Sequence, residues 1–187
     1  MPSYLTCRIV ITGAPGSGKT EFIQRLKSEK ALAGFIFFEE VARAILSTSP
    51  HLRNDWAGLH REIYRRHIER EEAAGEKPFV TDRGTVDAFA FHPETMVDVD
   101  TSLEREYRRY TAVIQLGSAA TLGEPYYRQD EIRRETPTEA LEIERAIRSV
   151  WGRHPGYSFV AAVIDLNEKY RLFRRRIVDH IAGGVYG

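Results

Sequence analysis

The sequence predicts an α/β fold built on a doubly wound, parallel sheet of five strands. Apolar runs of strand length alternate with longer amphipathic segments. Several of these runs are almost continuously apolar, which is typical of strands that are buried on both faces of a parallel sheet. Hydrophobic residues make up 42% of the chain and charged residues 29%, a balance that excludes a mainly disordered protein. At 187 residues, we expect one domain over 1–187.

The first two strands lie before residue 40. Residues 7–12 form the first apolar run, and a helix is predicted over 19–30. Gly34 separates this helix from the second predicted strand, residues 35–38, because glycine commonly follows the end of a helix. Residues 39–47 are then helix-like. This order predicts the first βαβα unit of the sheet.

A long amphipathic helix precedes the third strand. It runs through residues 59–74, where pairs such as Glu62 and Arg66 stand at the i,i+4 spacing that supports a helix. Residues 78–81 form the third predicted strand. Thr85 is of a residue type that caps helices, so we expect it to begin the next one.

The remaining elements complete the alternation. A helix is predicted over 101–109, followed by strands over 112–116 and 159–164. Between these strands, Thr136-Pro137 opens a helix with proline at its first position. The last helix begins near Leu166 and stops at Gly183, with its apolar residues on one face.

Residues 13–20 match the phosphate-binding pattern G-x-x-x-x-G-K-[ST] between a strand and a helix. Glycines let the backbone turn its N–H groups toward phosphate oxygens. Lys19 supplies a cation for the β- and γ-phosphates, and Thr20 a hydroxyl for Mg²⁺. The alternative is a plain glycine-rich turn. The predicted nucleotide-binding residues are Gly13, Ala14, Pro15, Gly16, Ser17, Gly18, Lys19 and Thr20.

Asp82 and Arg83 come directly after the third strand. Carboxyl ends of parallel strands line the ligand crevice of such a sheet, so Asp82 is expected to reach the Mg²⁺ shell beside Thr20. Arg83 is expected to hold a phosphate or acceptor group with its planar guanidinium. The alternative is a turn aspartate that caps the next helix, with a solvated arginine.

Glu39 and Glu40 end the second strand. A carboxylate here is suited to accept the proton of an acceptor hydroxyl, and we favour Glu40, with Glu39 close behind. The alternative is an acidic helix start that stabilises the dipole. Asp87 is equally suited to the crevice or to a solvated helix face.

A polar segment, residues 118–136, follows the fourth strand and is predicted to be a mobile lid. Kinases of small molecules exclude water and bring cations to the transferred phosphoryl group. Arg128, Arg133 and Arg134 are candidates for this role. The alternative is a charged, solvated surface helix.

Composition excludes several classes of protein. Lys+Arg and Asp+Glu both number 27, so no overall field attracts nucleic acid. Cys7 is the only cysteine, which excludes an intrachain disulfide. The chain start does not resemble a signal peptide, and no apolar run is long enough to span a bilayer. We therefore expect a cytoplasmic protein without a nucleic-acid partner or membrane span.

Together these motifs resemble the AAA-type ATPase-domain family. The resemblance is carried by residues 13–20, Glu40-Val41-Ala42-Arg43, residues 82–90 and the arginine segment. The family includes the ribosylnicotinamide kinase domain of the bacterial NAD regulator and the TRPL translocation defect protein, which binds GTP and phosphoinositide. More distantly, the chain is similar to deoxynucleoside and thymidylate kinases. In deoxynucleoside kinases the acid that serves the acceptor stands one residue earlier relative to Val-Ala-Arg, at the position of Glu39. The resemblance implies a three-layer P-loop NTPase fold of the small-molecule-kinase kind.

The expected activity is Mg²⁺-dependent transfer of a phosphoryl group from ATP to a small hydroxylated metabolite or nucleoside. GTP is the alternative nucleotide, although the sequence lacks the Asn-Lys-x-Asp pattern of many guanine sites. The alternative function is a non-catalytic ATP/GTP-binding switch, or an ATPase, with a protein or phosphoinositide partner. The acceptor and the oligomeric state stay open.

Overall fold

A computed structural model describes residues 7–129 and 135–183 of the chain. Within them, five strands form one all-parallel sheet in the order β2-β3-β1-β4-β5. The predicted α/β class and the doubly wound parallel sheet are confirmed. The strands are β1 (Arg8–Gly13), β2 (Ile36–Phe38), β3 (Phe79–Asp82), β4 (Ala112–Leu116) and β5 (Tyr157–Val160).

Helices connect successive strands and cover both faces of the sheet. The described residues form α1 (Lys19–Leu26), α2 (Val41–Thr48), α3 (Trp56–Ala74), α4 (Asp87–Phe91), α5 (Thr95–Asp98), α6 (Leu103–Tyr107), α7 (Pro137–Trp151) and α8 (Leu166–Gly183), with short 3-10 turns at Lys30–Leu32, Pro50–Asn54 and Ala119–Leu122.

Two apolar layers hold the helices to the sheet. On one face, Phe22 of α1 and Phe173 of α8 are fully buried with Ile9 and Ile11 of β1. On the other face, Trp151 of α7 packs with residues of β1, β4, α3 and α4. Each layer removes large apolar side chains from water, which is the main favourable term in folding.

Strand β1 lies at the centre of the sheet. It pairs with β3, where Ile11 lies opposite Asp82, and with β4, where Gly13 lies opposite Leu116. The segments after β1, β3 and β4 therefore leave the sheet at the same edge. Ligands bind in the crevice outside this edge of doubly wound folds.

Several predicted element positions are wrong. Helix α1 ends at Leu26 instead of residue 30. Strand β5 ends at Val160 instead of residue 164, because its partner β4 ends opposite it at Leu116. Ile164 lies beyond the sheet and is 66% exposed. Thr85 does not cap α4; its N–H donates to the Tyr110 hydroxyl, 2.8 Å away.

The helices of residues 7–129 and 135–183 are each too short or too polar to span a membrane.

Candidate phosphate and acceptor site

The loop between β1 and α1 has the backbone that the phosphate-binding pattern predicts. Gly16 and Gly18 have φ values of +76° and +83°, a region that side chains other than glycine rarely adopt. A Cβ atom on Gly16 would lie 2.8 Å from Cε2 of Tyr127. Glycine is therefore required at residue 16 by both conformation and space.

Hydrogen bonds to four of its carbonyl groups fix the peptide units of this loop. In a trans peptide, the carbonyl of one residue and the N–H of the next point in opposite directions. Held carbonyls at Pro15 and Ser17 therefore turn the N–H groups of Gly16 and Gly18 the other way. The donors are Arg83 Nη2 to Gly13 O (3.2 Å), the Ser118 hydroxyl to Pro15 O, Ala119 N to Gly16 O (3.1 Å) and Lys169 Nζ to Ser17 O (2.7 Å).

No described residue accepts a hydrogen bond from the N–H of Gly16 or Gly18. These groups border a cleft of about 540 Å³ lined by all eight residues of 13–20. Unpaired N–H groups around such a concavity, next to a helix N-terminus, form an anion-binding site. The geometry fits a polyphosphate.

Lys19, which lines this cleft, pairs with Asp82 at the end of β3. Lys19 Nζ donates to Oδ1 of Asp82, and the two residues are 8% and 6% exposed. The pairing of β1 with β3 places the two chain segments side by side. The sequence assigned these residues to the phosphates and the metal, and the fold brings them together; their roles stay predictions.

Thr20 lies in the first turn of α1 and is exposed. Its hydroxyl and the Asp82 carboxylate are oxygen donors of the kind that Mg²⁺ prefers, and Mg²⁺ normally completes its shell with phosphate oxygens and water. These two residues fit a magnesium ion that arrives with a nucleotide. The described residues contain no cluster of three or more His, Cys, Asp or Glu side chains that could hold a metal without such help.

A buried carboxylate fixes the turn after β3. Asp87 is 2% exposed and accepts hydrogen bonds from Gly84 N (2.9 Å), Trp151 Nε1 (3.1 Å) and the Thr12 hydroxyl. Arg83 Nη1 lies 3.3 Å from its Oδ1. Arg83 itself has a φ of +65°, a strained conformation for a residue other than glycine, and its Nη2 donates to Gly13 O of the loop.

Glu39 and Glu40 diverge at the end of β2. Glu39 pairs with Lys27 at 2.9 Å and its side chain is 76% exposed. Its carbonyl accepts from Arg70 Nη1 at 2.6 Å. Successive side chains of an extended segment point to opposite sides, and Glu40 lines the phosphate cleft with Arg43 and Arg83. Glu40 therefore lies along the phosphate cleft and Glu39 does not, and which of the two is the crevice acid stays a prediction.

An apolar pocket of about 230 Å³ adjoins the cleft between α2, α3 and α4. The Trp56 and His60 rings lie at one side, tilted by 57° with centres 4.4 Å apart, and the Phe91 ring centre lies 6.1 Å from that of His60. Burial lowers the pKa of His60 and His67, so both rings favour the neutral form. Aromatic walls with a few polar groups are typical of small-molecule sites.

Glu40 and Arg83 line both the phosphate cleft and the apolar pocket. The two cavities therefore meet at a carboxylate and a guanidinium. A larger groove of about 850 Å³ between α2 and α3 also includes Glu40 and Arg43. Its Arg66 is paired with Glu62 at 2.9 Å, and the groove is open to solvent. The smaller pocket is the better place for an acceptor.

The predicted lid falls partly outside the described residues. Arg133 and Arg134 belong to residues 130–134, which the structure does not describe. Arg128 is exposed and is not among the described residues that line the cleft. Tyr127 is 1% exposed against Gly16, and its hydroxyl donates to Glu135 O at 2.9 Å. The mobile lid stays a prediction.

Sequence reasoning missed Lys169, which lies behind the phosphate loop. Its Nζ donates to Ser17 O and to Gly117 O, 2.7 and 2.6 Å away, and the residue is 2% exposed. Desolvation lowers its pKa to about 8. A lysine on the buried face of α8, in line with Phe173 and Ile177, was the signal that pointed to it.

Comparison with solved structures shows the same architecture in nucleoside kinases. A structure of deoxyadenosine kinase from M. mycoides with bound dATP is similar with a TM-score of 0.61 and 13% identity, covering 92% of this chain and 99% of that one. The same kinase with dCMP and a flexible dCDP gives 0.63 and 12%, with the same coverage. With dCTP it gives 0.55 and 13%, again over 92% and 99% of the two chains.

At these identities the likeness shows the fold alone, which this chain shares with the deoxyadenosine kinase structures. No curated protein matches the sequence. The sequence model of the AAA domain family matches residues 8–169, which make up most of the chain. This match includes every strand and the entire phosphate loop, so the chain belongs to the AAA domain family.

Proposed function

We propose that this protein is a Mg²⁺-dependent kinase that transfers the γ-phosphoryl group of ATP to a hydroxyl of a small metabolite, with nucleosides as the first candidates. The supporting observation is the junction of two cavities at Glu40 and Arg83. One cavity has the groups for a polyphosphate and the other has the walls for a small planar molecule. Phosphoryl transfer requires both substrates to meet in this way.

The phosphate loop is proposed to bind ATP. The N–H groups of residues 13–20 and the Lys19 ammonium hold the phosphates, and the α1 N-terminus adds its dipole. Thr20 and Asp82 would hold Mg²⁺, which neutralises phosphate charge when it is bound. Arg83 stabilises charge that develops on the transferred group. Arg128, Arg133 and Arg134 are proposed to help neutralise this developing negative charge.

Glu40 is proposed to orient the acceptor hydroxyl and to accept its proton. Its side chain is 34% exposed and stands between the cleft and the apolar pocket. A carboxylate at hydrogen-bond distance from a hydroxyl serves as a general base in phosphoryl transfer. Trp56, His60 and Phe91 would pack against the ring of the acceptor.

The test is an assay of the protein with Mg·ATP or Mg·GTP and a panel of nucleosides and other hydroxylated metabolites. We expect ADP release together with a product whose mass increases by one phosphoryl group. Lys19→Ala should abolish this product. Lys30→Ala changes an exposed lysine outside the cleft and should leave it intact.

Other outcomes decide between the alternatives. ADP release without an acceptor product would replace the kinase by an ATPase. Nucleotide binding without any turnover would favour a switch, and nucleotide-dependent binding to phosphoinositide vesicles would identify its partner. Calorimetry that detects neither ATP nor GTP binding would contradict all three functions.

A further inference from the structure

We propose that Lys169 is a positioning residue of the phosphate loop: its ammonium group fixes the Ser17 carbonyl, and thereby turns the Gly18 N–H toward the phosphate cleft. The proposal rests on the phosphate-binding part of the proposed function. It assigns a role to helix α8, from which the sequence motifs predict no contribution.

The Lys169 ammonium group contacts two backbone carbonyls. Lys169 Nζ lies 2.7 Å from Ser17 O and 2.6 Å from Gly117 O. Ser17 belongs to the loop after β1, and Gly117 directly follows β4. One ammonium group therefore ties the loop to the end of the neighbouring strand. Hydrogen bonds from a charged donor are stronger than those between neutral groups.

The contact with Lys169 orients the peptide between residues 17 and 18. Its carbonyl points at Lys169, so its N–H, which belongs to Gly18, points away from α8. Gly18 lines the cleft and has a φ of +83°. A flexible glycine does not hold such an orientation by itself, since its backbone adopts many conformations. The ammonium group supplies the constraint.

Lys169 is itself held in place by the residues around it. The first turn of α8 is fixed by Asp165, whose Oδ1 accepts from Asn167 N at 2.8 Å and whose carbonyl accepts from Lys169 N at 3.0 Å. The Phe22 ring lies 5.9 Å from the ammonium. Glu144 of α7 is the charged group that faces it, and its carboxylate accepts from Ser118 N at 2.6 Å.

A buried lysine without a function is a costly feature, because burial of an ammonium group in low dielectric disfavours its charged form. Methionine has a similar length and would fill the same space with apolar atoms. A cation in this position also places a positive charge behind the peptides that face the phosphates. Both considerations indicate a functional reason for lysine here.

The test compares Lys169→Met with Lys77→Met, a change of an exposed lysine that precedes β3 at the opposite end of the sheet. Calorimetry with Mg·ATP and with inorganic tripolyphosphate measures affinity. We expect Lys169→Met to bind both ligands about ten- to a hundredfold more weakly, the loss of a charge-assisted hydrogen bond, and Lys77→Met to bind like the wild type. Because tripolyphosphate carries no base, its affinity reports on the phosphate loop without a contribution from a base-binding site.

A second measurement needs neither a variant nor a nucleotide. Carbon-detected NMR of the wild-type protein follows the carbonyl ¹³C shift of Ser17 from about pH 7 to about pH 9.5 while Lys169 loses its proton. The Ser17 carbonyl should titrate together with the Lys169 side chain, and the Ala74 carbonyl should not. The Ser17 carbonyl shift reports on the contact with Lys169. A general loss of stability would not change this shift.

The outcomes are distinct. Lys169→Met with wild-type affinity, or a Ser17 carbonyl that ignores the titration of Lys169, would overturn the proposal and leave the kinase function standing. Wild-type protein that binds no phosphate ligand would contradict the proposed function; the Ser17 titration then decides the role of Lys169 separately.

Discussion

Arg83 and Asp87 form an ion pair, with Nη1 3.3 Å from Oδ1, that ties the turn after β3 to helix α4. The same arginine donates to Gly13 O at the start of the phosphate loop. Asp87 also accepts from the Thr12 hydroxyl at the end of β1. These contacts connect the loop, the turn after β3 and the start of α4 through one buried carboxylate. The orientation of Arg83 in the cleft therefore depends on Asp87.

Asp87→Asn should destabilise the protein. The amide nitrogen would face donors that now point at a carboxylate oxygen, and leaving buried donors unpaired costs about 2 kcal/mol. Urea unfolding measures the free energy of unfolding. Asp179→Asn changes an aspartate whose side chain is 63% exposed and should alter that free energy by less than about 0.5 kcal/mol. Equal effects of the two changes would contradict the role of Asp87.

Glu40→Gln should lower kcat by about a hundredfold or more while nucleotide affinity stays unchanged, because glutamine cannot accept the hydroxyl proton. Glu39→Gln is the matched control at the adjacent residue, which pairs with Lys27 outside the cleft. Steady-state kinetics with the best acceptor measures both variants. A loss of kcat in Glu39→Gln but not in Glu40→Gln would assign the role of proton acceptor to Glu39.

Gly16→Ala should destabilise the protein by about 1–3 kcal/mol and remove nucleotide binding, since φ is +76° and the new Cβ would lie 2.8 Å from the Tyr127 ring. The control is Gly34→Ala, where a Cβ meets no described atom within 4 Å. Unfolding and calorimetry report the two effects. Normal nucleotide binding by Gly16→Ala would contradict the proposed loop geometry.

Lys169 should make stability depend on pH. Its pKa is lowered to about 8 in the folded protein from 10.5. Below pH 8 the lysine is protonated in both states, so it adds no pH dependence. Between the two pKa values the unfolded chain binds the extra proton, and the free energy of unfolding should rise by about 1 kcal/mol per pH unit from this group.

Unfolding of the wild type and of Lys169→Met across this range measures the contribution as a difference in slope. Groups such as Cys7, whose pKa burial raises, are common to both proteins and cancel. Identical slopes would mean that Lys169 does not titrate as its burial indicates.

The sequence by itself determined the sheet, the phosphate loop and its place after β1, because apolar periodicity and glycine requirements are local properties of the chain. That Asp82 lies near the phosphate loop also followed, since strand ends of a parallel sheet converge at one edge, whereas its ion pair with Lys19 came only from the structure. The family assignment, carried by these same segments, is confirmed.

Tertiary structure alone decided which side chains lie along the cleft and which lie away from it. After β2, Glu40 lines the cleft while Glu39 pairs with Lys27. The length of β4 determined where β5 stops. Asp87 and Lys169 contact partners 75 and 152 residues away along the chain. Contacts at such separations leave no local pattern, because they depend on how helices pack across the sheet.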